Sequence, residues 1–271
     1  MNLKDKLRIG EITLGSWITL AHPAIAEIMA RAGFDWLTVD LEHSVITIRE
    51  AEELIRVIDL CGVVPLVRLS TNDPVQIKRV MDAGAHGVIV PMVNSAEEAR
   101  KAVEFVRYPP DGKRGVGLAR AQGYGSSFEQ YKEWANQKSI VIVQVEHIKA
   151  VENLDAILSV EGVDGFIVGP YDLSGSLGIP GQFDNKLMIE AMSKIQAFMR
   201  SSSKIAGYHV VEPDIDQLQQ RVREGYRFLA YSVDIRMLDT CCRSAIKKIK
   251  DQSGIGIRRS LSKRQMNYKE A

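Results

Sequence analysis

Eight times along this chain of 271 residues, a short apolar run ends in a polar residue and gives way to a helical period. The runs are residues 12–20, 34–41, 63–69, 87–93, 140–147, 165–168, 205–211 and 228–233. The fifth shows what kind of strand they predict. Ile140, Val141, Ile142 and Val143 are four β-branched residues in succession, the pattern of a strand buried on both faces, as in a parallel sheet. Helical faces follow, such as Ile48, Ala51, Leu54, Ile55 and Ile58 after the second run, and Ile77, Val80 and Met81 after the third. Asp73-Pro74 reads as an N-cap with proline at the first helical position, and Ser95 with Glu98 has capping-box spacing. Eight strand signals, each followed by a helix signal, predict an α/β chain folded as a TIM (β/α)8 barrel rather than a doubly wound sheet. No composition shift divides it, so residues 1–253 read as one domain and 254–271 as a loose basic tail.

Composition removes several classes of function. Lys plus Arg number 35 and Asp plus Glu 34, and this balance gives no basis for binding nucleic acid or an anionic membrane. No apolar run reaches the length of a bilayer span, and the first residues lack the apolar stretch of a signal peptide. Three cysteines, two of them adjacent (Cys241 and Cys242, expected in the core), make neither a disulfide framework nor a zinc spacing. A reducing cytoplasm is the expected compartment.

Barrel enzymes work at the ends of their strands, so strand-end residues carry the functional reading. They are Asp40, Glu42 and His43; Arg68; Gln144, Glu146 and His147; Asp172; His209; and Asp234. Gln144 and Glu146 are two apart and point the same way. A carboxylate at the end of a buried strand is costly without compensation. Glu146 and Asp172 come from neighbouring strands, and two carboxylates with open positions suit a hard divalent cation such as Mg2+ or Mn2+, completed by water and a chelating substrate. The bland alternative is that each caps a helix or pairs with arginine. Asp40 precedes His43 by three residues and is expected to orient its imidazole for base work. Arg68 is placed for an oxyanion or a carboxylate. Glu42 alternates in direction with His43 and reads as structural, as does His86, which precedes its strand. His22, His147 and His209 read as structural or supporting groups, and Asp234 as a cap of the last helix. No strand-borne lysine is placed for Schiff-base chemistry.

The irregular stretch 107–138, rich in glycine and aromatics, reads as a binding loop on the catalytic face, with part of 129–136 helical. Arg120 within it is expected to bind an anionic group on the substrate, the alternative being an ion pair with an acid across a subunit contact.

The sequence resembles the HpcH/HpaI aldolase/citrate lyase family over about residues 5–250. The likeness rests on D-L-E-H-S at 40–44, V-R-L-S at 67–70, R-G-V-G at 114–117, Q-V-E at 144–146 and G-P-Y-D-L-S-G-S-L-G at 169–178. It implies a class II aldolase that cleaves a 4-hydroxy-2-keto acid to pyruvate and an aldehyde, with Mg2+, Mn2+ or Co2+ as cofactor. Glu146 and Asp172 match the metal ligands and His43, held by Asp40, the base. Arg68 matches the residue that steadies the pyruvate enolate. Gln144, the Tyr171 amide and Ser174 match the substrate-binding positions. The resemblance also implies a hexamer, a trimer of dimers, whose last helix packs on a neighbour. The loop L-A-R-A-Q-G-Y-G-S-S at 118–127 and His147 depart from the family pattern, both toward the aldehyde side. Two other readings are a citrate-lyase-type thioester lyase, or related pyruvate or phosphoenolpyruvate enzyme, and a non-catalytic barrel that binds metal and acid.

Overall fold

The computed structural model describes residues 1–253; the basic tail lies outside the described residues. The eight apolar runs form β1 (Thr13–Ile18), β2 (Trp36–Asp40), β3 (Val64–Arg68), β4 (Gly87–Val90), β5 (Ile140–Val145), β6 (Gly165–Val168), β7 (Ile205–Val210) and β8 (Phe228–Val233). They close in chain order into a barrel, with β8 pairing back onto β1 and every ladder parallel. The helices are α1 (Leu3–Arg8), α2 (Pro23–Arg31), α3 (Ile48–Leu60), α4 (Pro74–Asp82), α5 (Ala96–Val106), α6 (Phe128–Lys138), α7 (Ile148–Glu152), α8 (Leu154–Leu158), α9 (Pro170–Ser176), α10 (Lys186–Ser201), α11 (Ile215–Arg223) and α12 (Asp234–Ser253).

The predicted caps form. The Asp73 side chain accepts from the Gln76 amide, and the Ser95 hydroxyl from the Glu98 amide. The Glu98 carboxylate reaches back to the amide of Asn94 at 2.7 Å, one residue earlier than a capping box requires. His22 and His147 turn out to be helix N-caps too, accepting from the amides of Ala24 and Lys149. His147 therefore holds the start of α7.

The β-branched faces of the strands and the apolar faces of the helices share one core. A second lies inside the barrel, made of Trp17, Trp36, Leu66, Ile89, Ile142, Ile167 and Phe228. Trp36 and Phe228 stack there with ring centroids 4.1 Å apart. α1 covers the base of the barrel with Leu3 and Leu7, and its buried Lys4 pairs with Asp164 at 3.0 Å. This N-terminal plug, too short to show a helical period, had no sequence signal.

The stretch 107–138 lies on the opposite face from the one expected. It begins where α5 ends and finishes where β5 begins, so it crosses the base of the barrel. Arg114 is its anchor. The guanidinium is buried 4.6 Å from the Tyr108 ring and 5.4 Å from the Tyr131 ring, and 2.5 Å from Asp82. Arg120 is bound to Asp59 at 2.5 Å and to the carbonyl of Ala83 at 3.2 Å, beside His86, which is also paired with Asp59. It meets an acid of its own chain and does not reach the mouth. Cys241 and Cys242, expected in the core, are exposed on α12.

The inner core leaves one strand position no room for a side chain. A Cβ added at Gly15 on β1 would fall 2.0 Å from the Trp36 ring, which its stack on Phe228 holds in place. Gly15→Ala is expected to lower stability by about 3 kcal/mol, the upper range for overpacking a core, in urea unfolding at equilibrium. A loss below about 0.5 kcal/mol would show that the ring can move aside.

Candidate active site

The strand ends open into a cavity of about 280 Å³ lined by Trp17, His43, Arg68, Gln144, Gly169, Tyr171, Asp172 and His209 among others. Its centre is Arg68, the last residue of β3. The register places it directly beside Asp40, the last residue of β2. The two side chains meet side-on, Nε to Oδ1 at 2.9 Å and Nη2 to Oδ2 at 2.6 Å, with both buried. The guanidinium also lies over Trp17, 4.5 Å from the ring centroid. Arg68 holds the Asp40 carboxyl below its usual range despite the burial that opposes this.

Asp40 does not touch the His43 imidazole. Its remaining bonds go to the backbone amides of Glu42 and His43, at 2.9 and 3.3 Å. Spacing alone cannot separate a carboxylate that holds a ring from one that holds the turn carrying it. The imidazole instead reaches over the mouth, 57% exposed, with Nε2 at 4.0 Å from both Glu42 and Asp172.

Glu42 had been set aside as structural by strand alternation. β2 ends at Asp40, so alternation no longer applies two residues later, and the turn brings the Glu42 carboxylate to 3.1 Å from Arg68 Nη1. Burial, reinforced by the charges of Glu146, Asp40 and Asp172, pushes its pKa up to about 8 although Arg68 opposes the shift. Its Oε2 is buried without hydrogen-bond geometry to any group.

Glu146 follows β5 and is buried. The amide of Met92 donates to its Oε1 at 2.6 Å, and the Gln144 amide nitrogen donates to its Oε2. Met92 holds a left-handed φ of 53° to make that contact, a backbone detail that sequence does not announce. Burial first, then the neighbouring Asp172 charge, lifts Glu146 to about 7. Asp172 sits half-exposed in the first turn of α9, whose early amides have no intrahelical acceptor. Gly169, just before that helix, is packed so tightly that a Cβ there would lie 3.1 Å from Gln144 Nε2 and 3.4 Å from Glu146 Oε2.

Ser174 departs from expectation. Its buried hydroxyl donates to the Tyr171 carbonyl at 2.6 Å and accepts from the Gly181 amide at 2.9 Å. Both bonds tie the loop around α9, leaving Ser174 to position Tyr171 and Asp172 rather than contact a ligand. Asp234, expected to cap the last helix, is instead its first residue; its carboxylate accepts from the adjacent Ile235 amide and pins the end of β1 through Thr19 and Leu20.

The donors suit a hard divalent cation. Glu146, Asp172 and Glu42 are oxygen donors, and Gln144 Oε1 is a buried acceptor with no partner. Among the described residues no three His, Cys, Asp or Glu side chains converge closely enough to enclose an ion. Glu146 and Asp172 are the carboxylates that could hold such an ion.

Comparison with known proteins places the chain among relatives of one family. The HpcH/HpaI aldolase/citrate lyase family matches residues 13–240. A hydroxypyruvate/pyruvate aldolase of Roseobacter denitrificans is 38% identical over 249 residues, covering 91% of this chain and 96% of that protein. A 2-keto-3-deoxy-L-rhamnonate aldolase of Escherichia coli K12 is 39% identical over 233 residues, 85% of this chain and 86% of that one. The structure of an HpcH/HpaI aldolase from Desulfitobacterium hafniense superposes with a TM-score of 0.86 at 35% identity, covering 95% of this chain and all of the other.

The acid cluster carries a pH signature. Glu42 at about 8 and Glu146 at about 7 stand above their ordinary 4.5, so between these values the folded chain holds protons that the unfolded chain has released. Stability then falls as pH rises. His209 works in the other sense, because burial lowers it to about 3, but its contribution is complete above its ordinary 6.5. In the presence of chelator, Tm is expected to fall between pH 6.5 and 8, and Glu42→Gln is expected to flatten that fall. An unchanged slope in calorimetry of the variant would remove Glu42 from the cluster.

Proposed function

Because the chain belongs to the HpcH/HpaI aldolase/citrate lyase family, we propose that it is a divalent-metal-dependent pyruvate aldolase, cleaving a 4-hydroxy-2-keto acid to pyruvate and an aldehyde and running in reverse. The observation that carries this reading is Arg68, fixed by Asp40 beside the paired carboxylates of Glu146 and Asp172 in a cavity with no lysine in its lining. An enolate needs a cation, and the amine required for a Schiff base is not among the lining residues.

A divalent cation, Mg2+, Mn2+ or Co2+, held by Glu146 and Asp172, supplies Lewis acidity to the keto group when bound. The rest falls to the chain. Arg68 presents its guanidinium to the oxygen that becomes negative as the C3–C4 bond breaks; its pairing with Asp40 fixes the direction of the donors beforehand. The Tyr171 amide, at the start of α9, is placed for the keto acid carboxylate, while the unpartnered Gln144 Oε1, which only accepts, suits a cation or a substrate hydroxyl. His43 takes the proton from the 4-hydroxyl and returns it in the reverse direction. Glu42 and Asp172 flank its Nε2 equally, so the ring has a carboxylate on either side as it becomes charged.

We further infer that copies of the chain associate as a hexamer. The support is α12, which exposes Ile235, Leu238 and Ile246 along its length. Three free cysteines, all exposed, accord with a reducing cytoplasm. Among the described residues no helix is long and apolar enough to cross a membrane.

Two measurements test the reaction. Chelator is expected to abolish pyruvate release from hydroxy-keto acids, and borohydride with pyruvate is expected to leave no covalent adduct; a reduced lysine adduct would overturn the metal reading. His43→Ala is expected to lower kcat by roughly 10²–10⁴-fold with little change in metal affinity. Unchanged turnover would assign the proton transfer to another group.

A further inference from the structure

The cavity has a second wall that the reaction so far leaves unused. Arg68, Gln144 and Asp172 come from β3, β5 and the start of α9. Facing the same space are Trp17 of β1, His209 of β7 and Val211 just beyond it. If the pyruvate half occupies the first wall, the aldehyde half meets the second.

His209 is a polar choice where the neighbouring β6 ends in Val168. Its Nε2 lies 3.1 Å from the carbonyl oxygen of Ser232. A carbonyl only accepts, so Nε2 carries the hydrogen. That carbonyl is itself held: Ser232 has a left-handed φ of 55°, its hydroxyl donates to Val211 O at 3.1 Å, and Ser16 Oγ approaches the same carbonyl at 3.3 Å. Burial, with Arg68 nearby, keeps the imidazole uncharged. A neutral ring with its hydrogen on Nε2 has a lone pair on Nδ1. Among the described residues no donor meets that nitrogen. Trp17, with its ring centroid 5.2 Å from that of His209, has a buried Nε1–H that also lacks a partner.

We propose that His209 selects the aldehyde half of the substrate, its Nδ1 accepting a hydrogen bond from a hydroxyl group, so that hydroxyaldehydes are preferred to alkanals. This rests on the aldolase reading above and deepens it. A carboxylated aldehyde is disfavoured at this wall. Among the described residues Arg68 is the only Arg or Lys in the lining, and it is already shared between Asp40 and Glu42, while Arg120 is tied to Asp59 beneath the barrel. A hydroxyl can give its hydrogen to Nδ1 without bringing a charge into a mouth already rich in carboxylates.

The test is aldol addition of pyruvate, with divalent metal, to glycolaldehyde, to propanal of matched size, and to glyoxylate. The wild-type protein is expected to prefer glycolaldehyde to propanal by about 10–100-fold in kcat/KM, the scale of one buried hydrogen bond. His209→Leu is expected to lose that preference by losing rate on glycolaldehyde alone, and His209→Asn, which restores an acceptor, to recover part of it. Exchange of the pyruvate methyl protons with D2O is expected to be unchanged in both variants, since it reports the first wall only. A wild-type enzyme that treats the two aldehydes alike, or a His209→Leu variant that keeps the preference, overturns the assignment while leaving the aldolase reading intact. A wild-type preference for glyoxylate also overturns it. Failure of the wild-type protein to exchange pyruvate protons or to add pyruvate to any of the three would overturn the aldolase reading, and His209 selection with it.

Discussion

The site depends on one buried cation among too many acids. Arg68 faces Asp40 and Glu42 directly, with Glu146 and Asp172 close behind. Four carboxylates against one guanidinium leave an excess of negative charge in a space largely shut off from water. The folded chain has two ways to relieve it. One is to keep protons on Glu42 and Glu146, which is what their raised values of about 8 and about 7 express. The other, on the proposed reading, is to admit a divalent cation at the Glu146–Asp172 edge, which would offset the charge without titrating the carboxylates. Asp40 is spared because Arg68 binds it through two bonds; its carboxyl stays ionised and the guanidinium stays aimed.

The barrel was legible because each strand must be buried on both faces. A run such as Ile140–Val145 has no polar face to confuse it with a surface strand, and β6 and β8 begin and end at the residues the pattern marked. Two helices were not legible, for different reasons. α1 has six residues, too few to establish a period. α9 lies within Gly-Pro-Tyr-Asp-Leu-Ser-Gly-Ser, where the glycines and proline that suit a loop at a strand end also permit a short helix begun by proline.

In the site, the rule that strands end at one face of the barrel gathered residues at or just beyond the strand ends. Arg68, Gln144, Glu146 and Asp172 meet in one cavity or at its edge. The failures came from carrying a local rule past the element that justifies it. Strand alternation excluded Glu42, but β2 had already ended. Three-residue spacing tied Asp40 to the His43 ring, but the turn presents the His43 amide to Asp40 and sends the ring outward. Arg120 failed for a topological reason. A loop after a barrel helix leads back to the start of the next strand, so 107–138 had to lie at the base whatever its composition suggested.

That topology also sorts the charges of a nearly neutral chain. At the base, Lys4 pairs with Asp164, Arg114 with Asp82, and Arg120 with Asp59 beside His86, so the cations there meet acids and the contacts hold the base of the barrel together. At the mouth the acids outnumber the cation. Net charge conceals the separation, because +1 for the whole chain averages the acid excess at the mouth against cations elsewhere in the sequence. Without a cation the mouth relieves its charge by holding protons on Glu42 and Glu146, and Arg68 is already committed to Asp40. On the proposed reading, a divalent cation at the carboxylate pair would lower that excess and give an anionic keto acid a positive centre to meet. The excess of acid that makes the mouth a poor place for a carboxylate alone makes it, on the proposed reading, a good place for a cation.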